Sequence, residues 1–160
     1  MDVPVGSRSE LMAELTQALA PGAPLQLLVI FRLAGYERYR LVNGEQAADE
    51  LHMREAARLV ETIGPHGVFY RPRRDELCGL ISGPLEGARE ALFASVVALN
   101  EEPAVTAGFG AALLPNEAVD PIGALALADR RVSGLVELRD PVPRGAALRS
   151  DRAGRASDVA

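Results

Sequence analysis

The sequence predicts a single α+β domain in which helices pack on a mixed β-sheet. Segments with the apolar spacing of a helix alternate with apolar, β-prone segments, and their order along the chain is α-β-α-β-β-α-β-α. The 160 residues match the size of one domain and are enough to bury a core. A hydrophobic content of 48% with 24% charged residues is typical of a soluble globular protein.

Composition also excludes several classes of partner and site. The net charge of −5 argues against general binding of nucleic acid or of an anionic membrane surface. No apolar run approaches the ~20 residues of a membrane span, and the N-terminus lacks the features of a signal peptide. One cysteine, Cys78, and two histidines, His52 and His66, cannot form a disulfide within the chain, a cysteine zinc site or a multi-histidine metal site. These features predict a cytoplasmic location.

The first half of the chain predicts two helices around a central strand. The segment "SRSE", residues 7–10, has the spacing of a capping box at a helix start, and "PGAP" at 21–24 ends that helix. The nearly continuous apolar run "LQLLVIFRL", 25–33, is typical of a central strand that is covered on both faces. A long helix then ends at about Ile63, before Gly64.

The second half predicts a β-hairpin at about 67–82, followed by a helix that starts at Pro84. The segment "AVTAGFGAALL", 104–114, is expected to be a glycine-rich strand. Asp120 and Pro121 form a favourable N-cap and first-turn pair for a last helix.

The end of the chain differs in composition. The segment "GLVEL", 134–138, is interpreted as a short final strand. Residues 140–160 are rich in Pro, Gly, Arg, Ser and Asp, which is typical of a flexible tail. The domain is therefore expected to span residues 1–139.

The predicted hairpin has an unusual tip. In "FYRPRRDELCGLI", 69–81, apolar runs flank the charged sequence Arg73-Arg74-Asp75-Glu76. Tight hairpin turns favour Gly or Asn, so ordinary turn chemistry does not account for two consecutive arginines.

Four segments in order resemble the GGDEF family of diguanylate cyclases, over about residues 5–136. The segment "VGSRSELMAEL" resembles "GLxNRxxLxxxL" with Arg8 at its arginine, and "RLAGYERYRLVNGEQAADEL" resembles "DxDGFKxxNDxxGHxxGDxxL". Likewise "YRPRRDELCGLI" is similar to "RxGGDEFxxLL", and "VTAGFGAA" to "VTxSxGVA". Ala128-Asp129 stands at the closing Ala-Asp of the family. The resemblance implies the palm-like fold of nucleotide cyclases and polymerases, with a mainly antiparallel sheet flanked by helices.

The family's activity, as the resemblance implies it, is the joining of two GTP molecules into cyclic di-GMP. Divalent ions, held by an aspartate of the central strand and by acids of the hairpin tip, neutralise the triphosphate. An asparagine and an aspartate hold the guanine. The family's signature reads Arg73-Arg74-Asp75-Glu76-Leu77 in this chain, so the tip acids are retained; the guanine aspartate is retained as Asp49.

Arginines replace four other functional residues of the family. Arg32 stands at the strand aspartate and should repel a divalent cation. Arg40 stands at the guanine asparagine and can only donate hydrogen bonds. Arg73 and Arg74 replace the two glycines, whose lack of a side chain lets the substrate approach. The family's Arg-x-x-Asp product-inhibition site falls on "GPHG", 64–67, and is therefore absent.

These replacements predict a degenerate GGDEF domain with no functional catalytic residue and no cofactor. Its expected role is regulatory, through a protein partner or self-association, in cyclic di-GMP signalling. One alternative is a metal-independent sensor that binds a guanine nucleotide. Another is a weakly active cyclase that uses Mg²⁺. The candidate ligand-binding residues of the sensor are Arg32, Arg40, Asp49, Arg73 and Arg74.

Several single residues carry narrower expectations. The guanidinium of Arg32 is expected to occupy the vacated metal position and to pair with Asp75 and Glu76. Tyr36 and Tyr39 are expected to pack on the core, and Cys78 to be an inert core thiol. His52 is left outside any mechanism, because no catalytic partner for it is visible in the sequence.

Overall fold

The computed structural model describes the backbone of residues 3–139 and the side chains of residues 3–132. The described part contains five α-helices and four β-strands. In chain order they are α1 Arg8–Ala18, β1 Gln26–Ala34, α2 Tyr36–Asn43, α3 Glu45–Ile63, β2 Gly67–Tyr70, β3 Glu76–Ile81, α4 Ala88–Leu99, β4 Thr106–Leu114 and α5 Pro121–Arg139.

The strands form one sheet in the order β2-β3-β1-β4. All neighbouring strands pair antiparallel, and one isolated parallel bridge joins Gly6 to Tyr70 at the β2 edge. The predicted α+β class, with a mainly antiparallel sheet flanked by helices, is confirmed.

The central position of β1 explains its nearly continuous apolar sequence. Side chains of a strand alternate between its two faces. Phe31 therefore packs with α3 and α4 on one face, whereas Ile30 packs with α1 and α5 on the other. Both residues are at most 3% exposed, so β1 is covered on both faces as predicted.

The helix ends form largely for the reasons that the sequence indicates. The Ser7 hydroxyl accepts a hydrogen bond from the Glu10 N–H at 3.2 Å, and the Ser7 N–H donates to the Glu10 carboxylate at 2.7 Å. The Asp120 carboxylate accepts from the Gly123 N–H at 2.6 Å at the start of α5. Gly64, with φ of 82°, ends α3 in a conformation that favours glycine.

Other predicted boundaries are wrong. Helix α2 has no counterpart in the predicted order, because its sequence is polar and its one buried residue is Tyr36. Helix α4 starts at Ala88 rather than Pro84, since Gly87 precedes it with φ of 83°. Strand β4 starts at Thr106, two residues later than predicted.

The predicted strand at 134–138 is also wrong, because α5 continues through it to Arg139. The apolar composition of this segment suits a helix as well as a strand, and a helix satisfies its backbone hydrogen bonds within the segment. The predicted tail, 140–160, lies outside the described residues. Within the described part, none of the helices combines the length and apolarity required to cross a membrane.

Candidate functional site

The hairpin turn lies beside the end of the central strand. Residues 71–75 connect β2 to β3, and the Leu33 N–H donates to the Asp75 carbonyl at 2.8 Å. Within the β1–β3 ladder, Arg32 lies directly opposite Glu76. The fold therefore brings Arg32 to the acid at the start of β3, Glu76. Most of the candidate residues fall into two groups of ion pairs, one near α5 and one near α3.

The α5 cluster consists of Arg32, Arg73, Glu76 and Asp129. The Nη2 atom of Arg32 lies 3.0 Å from the Glu76 Oε2 atom, and it also contacts the Asp129 carboxylate. Arg73 approaches the same Glu76 oxygen at 3.8 Å. The Glu76 side chain is only 6% exposed, so the guanidinium of Arg32 replaces hydration that this carboxylate has lost.

Asp75 does not join this cluster. Glu76 lies on the face of β3 that packs against α1 and α5, whereas Asp75 precedes the strand. The side chain of Asp75 forms no ion pair with any other residue whose side chain is described. The expectation that Arg32 pairs with both hairpin acids is therefore correct only for Glu76, and Asp129 is the second partner.

Asp129 was not predicted as a site residue, although Ala128-Asp129 was part of the sequence resemblance. Its contact with Arg32 spans 97 residues of sequence. Helical periodicity does not show where α5 crosses the sheet, so the sequence carries no direct signal for this pair.

The α3 cluster consists of Arg40 and Arg74 with the acids Glu37 and Glu45. Arg74 Nη1 lies 2.7 Å from both carboxylate oxygens of Glu45, and this contact lowers the pKa of Glu45 below its ordinary value. Arg40 lies 2.9 Å from Glu37 and 3.4 Å from Glu45. These side chains are substantially exposed, so their pairs neutralise charge and add little stability.

Arg71 extends the α3 cluster towards the core. It donates a hydrogen bond of 2.7 Å to the hydroxyl of Tyr36 and lies 3.5 Å from the Asp49 carboxylate. Tyr36 is fully buried, and burial raises its pKa. The expected core packing of Tyr36 is thus confirmed, while Asp49 remains 58% exposed at its side chain. Arg71 lies at the arginine of the segment that resembles "RxGGDEF", but its residue type and position alone indicate no role for it.

His52 and Cys78 are buried structural residues. The His52 Nε2 atom lies 3.1 Å from the Glu76 carbonyl oxygen, and because a carbonyl only accepts, the ring N–H donates. Burial lowers the pKa of His52 to about 4, so the ring is neutral at pH 7. Burial also raises the pKa of the Cys78 thiol, which is fully enclosed in the core as expected.

Replacing Arg32 by alanine is expected to lower the free energy of unfolding by about 1–3 kcal/mol, because the nearly buried Glu76 carboxylate loses its charged donor. The matched change Arg74→Ala removes an exposed pair and is expected to have a much smaller effect on stability. Urea unfolding at pH 7 measures both. Equal effects of the two changes would contradict the structural importance assigned to Arg32.

The architecture defines the class of protein: this is an α+β domain with the GGDEF fold. The GGDEF domain of FimX from Pseudomonas aeruginosa matches with a TM-score of 0.71 and 19% identity, over 86% of this chain and 94% of that one. The active GGEEF domain of a Vibrio cholerae diguanylate cyclase matches with a TM-score of 0.71 and 14% identity, over 84% and 93%.

A third similar structure is the S helix-GGDEF-EAL part of Vibrio cholerae LapD, bound to cyclic di-GMP. It has a TM-score of 0.71 and 14% identity, over 83% of this chain and 32% of that longer one. No protein-family profile matches the sequence, and no curated protein shares significant sequence similarity with it. The likeness is therefore one of fold.

Proposed function

We propose that this chain is a GGDEF-fold domain without diguanylate cyclase turnover, which acts as a regulatory or protein-interaction module in cyclic di-GMP signalling. The observation that carries the proposal is the pairing of Arg32 with Glu76 and Asp129. Structural neighbours include an active diguanylate cyclase domain and a GGDEF-containing protein bound to cyclic di-GMP, which supports the signalling context.

The donor set at the hairpin does not fit a divalent cation. Mg²⁺ requires near-octahedral oxygen ligands, and its protein ligands are chiefly carboxylates. The Glu76 carboxylate is instead in contact with the guanidinium of Arg32 at 3.0 Å. Two unit charges at 4 Å repel by ~1 kcal/mol even in bulk water, and by more in a drier cleft. Among the side chains that the structure describes, no group of three or more His, Cys, Asp or Glu is arranged to hold a metal.

The same ion pairs favour a regulatory role over nucleotide sensing. Arginine binds phosphate through guanidinium N–H groups that are free to form paired hydrogen bonds. In this protein Arg74 already contacts both oxygens of Glu45, and Arg40 contacts Glu37 and Glu45. A phosphorylated ligand would have to break these contacts, and the acids would repel it.

The direct test is incubation of the purified chain with GTP and either Mg²⁺ or Mn²⁺, followed by chromatography for cyclic di-GMP. We expect no product above the enzyme-free baseline, with an active diguanylate cyclase as the positive control. Arg32→Asp is expected to introduce Mn²⁺ binding that calorimetry detects, because it brings a third carboxylate to Glu76 and Asp129. Arg74→Asp, which adds an acid outside this cluster, is the matched control.

The outcomes separate the rival functions and test the role of Arg32. Cyclic di-GMP production by the unmodified chain would contradict the proposal and establish the weak cyclase. Thermal stabilisation by GTP or cyclic di-GMP without metal would favour the sensor, since a ligand at 100 times its Kd adds ~2.7 kcal/mol. Failure of Arg32→Asp to bind Mn²⁺ would show that Arg32 is not what excludes the ion.

A further inference from the structure

An apolar groove of about 920 Å³ lies on the side of the sheet formed by β2. Its walls are the segment 3–6, one face of α1, the end of α3 and strand β2. Val68, on β2, lines this groove and is 57% exposed, so its apolar side chain is accessible to a partner. Phe69 and Tyr70 form much of the remaining apolar wall and are themselves nearly buried.

The β2 strand also presents main-chain groups at the edge of the sheet. The Ser82 N–H donates to the His66 carbonyl, so His66 and Ser82 form a hydrogen-bonded pair across β2 and β3. Hydrogen-bonded and non-hydrogen-bonded pairs alternate along an antiparallel ladder. The main-chain N–H and C=O groups of Gly67 and Phe69 therefore point away from β3, towards the open edge of the sheet. The Phe69 carbonyl accepts a hydrogen bond of 2.9 Å from the Gly6 N–H. Pro4, two residues earlier, has no N–H with which to continue this parallel pairing. The Gly67 carbonyl is therefore left without this donor, and the described part of the chain shows no main-chain hydrogen bond from the Phe69 N–H outside the β2–β3 ladder.

The charges that border the groove are all negative. Glu10 and Glu14 line it from α1, and none of its lining residues is Lys, Arg or His. Glu10 is held by the capping box, whereas Glu14 forms no ion pair or side-chain hydrogen bond with another described residue. Burial and these two carboxylates together raise the pKa of the Tyr70 hydroxyl, which places this polar group close to them.

We propose that this groove binds an extended segment of a partner protein in which apolar side chains stand next to a Lys or Arg. The apolar walls receive the apolar side chains, Glu14 pairs with the basic residue, and the free groups of Gly67 and Phe69 bind the main chain. Nucleotides, phosphates and anionic lipid headgroups are excluded because the acidic border repels them. The inference rests on the proposed role as a protein-interaction module and specifies the class of partner.

The test is selection of a phage-displayed library of random 12-residue peptides on the full chain. We expect enriched peptides that combine apolar residues with Lys or Arg. The synthetic form of the most enriched peptide is then titrated by fluorescence polarisation. Glu14→Lys is expected to weaken its binding at least tenfold at low ionic strength, with a smaller effect in high salt. Val68→Asp is expected to weaken binding at least tenfold at any salt concentration, because it places a charge on the apolar wall.

Two control variants carry the same chemical changes elsewhere. Glu90→Lys and Val97→Asp alter exposed residues of α4, outside the groove, and are expected to leave peptide binding unchanged. Failure to enrich any peptide, or equal effects of the groove and control variants, would overturn the proposal. This readout is independent of GTP turnover. A cyclase-active chain would refute the proposed function, whereas an inactive chain with a non-binding groove would refute only the present inference.

Discussion

Replacing Gly110 by alanine is expected to lower the free energy of unfolding by about 3 kcal/mol or more. Gly110 lies on β4 at a point where the backbone of α5 passes close to the strand. A Cβ atom there would overlap the backbone of Ala128 and Val132 and would lie 2.9 Å from the carbonyl carbon of Arg131. These are main-chain atoms of a helix, which cannot rotate away as a side chain can. The helix must therefore move off the sheet.

Displacement of α5 would also alter the α5 cluster, because Asp129 lies next to Ala128 on that helix. Urea unfolding measures the loss of stability, and the effect is expected to exceed that of Arg32→Ala. The control is Gly123→Ala within α5, where the nearest neighbour of the new Cβ would be the Asp120 carboxylate, at 3.1 Å. That change is expected to remain within about 1 kcal/mol, since alanine favours the helix. A Gly110→Ala protein as stable as the original would contradict the packing of α5 on β4.

Replacing Glu55 by glutamine is expected to stabilise the protein by up to about 3 kcal/mol at pH 8. Glu55 is fully buried on α3; one of its oxygens accepts from Arg58 at 2.6 Å, and the other has no partner among the described residues. Burial raises the pKa of this carboxyl from 4.5 to about 7. Each unit of pKa difference corresponds to about 1.36 kcal/mol, and glutamine occupies the same space without a charge.

The pH dependence gives this prediction a distinct signature. A carboxyl group with a raised folded-state pKa favours folding below pH 4.5, and this contribution is lost as the pH rises to about 7. His52 acts in the opposite direction: with its pKa lowered from 6.5 to about 4, it makes the protein less stable as the pH falls through that range. In the Glu55→Gln protein the contribution of Glu55 is removed, so the contribution of His52 is no longer opposed. The free energy of unfolding of this variant should therefore rise with pH between about 4 and 6.5.

Urea unfolding at several values between pH 4 and 8 measures this profile. Glu50→Gln, an exposed change on the same helix, is the control and is expected to follow the original protein. A Glu55→Gln profile parallel to that of the original protein at every pH would show that Glu55 does not titrate in this range.

Local sequence signals were sufficient for most of the fold. The apolar run around Phe31 predicted a strand buried on both faces, and Ser7 and Asp120 predicted the starts of α1 and α5. These predictions succeeded because a helix cap forms between residues three positions apart in the sequence, and a continuous apolar run can be read directly from the sequence. The prediction of a strand at 134–138 failed because its apolar composition suits either a strand or the continuation of a helix.

The sequence by itself determined which groups are available near the hairpin: Arg32 on the central strand, and two arginines followed by two acids at residues 73–76. Only the tertiary structure decided how they pair. Register placed Arg32 opposite Glu76, and the crossing of α5 added Asp129 rather than Asp75. The physical reason is that residue types are set by sequence, whereas ion pairing depends on distances of a few ångströms between elements far apart in the chain.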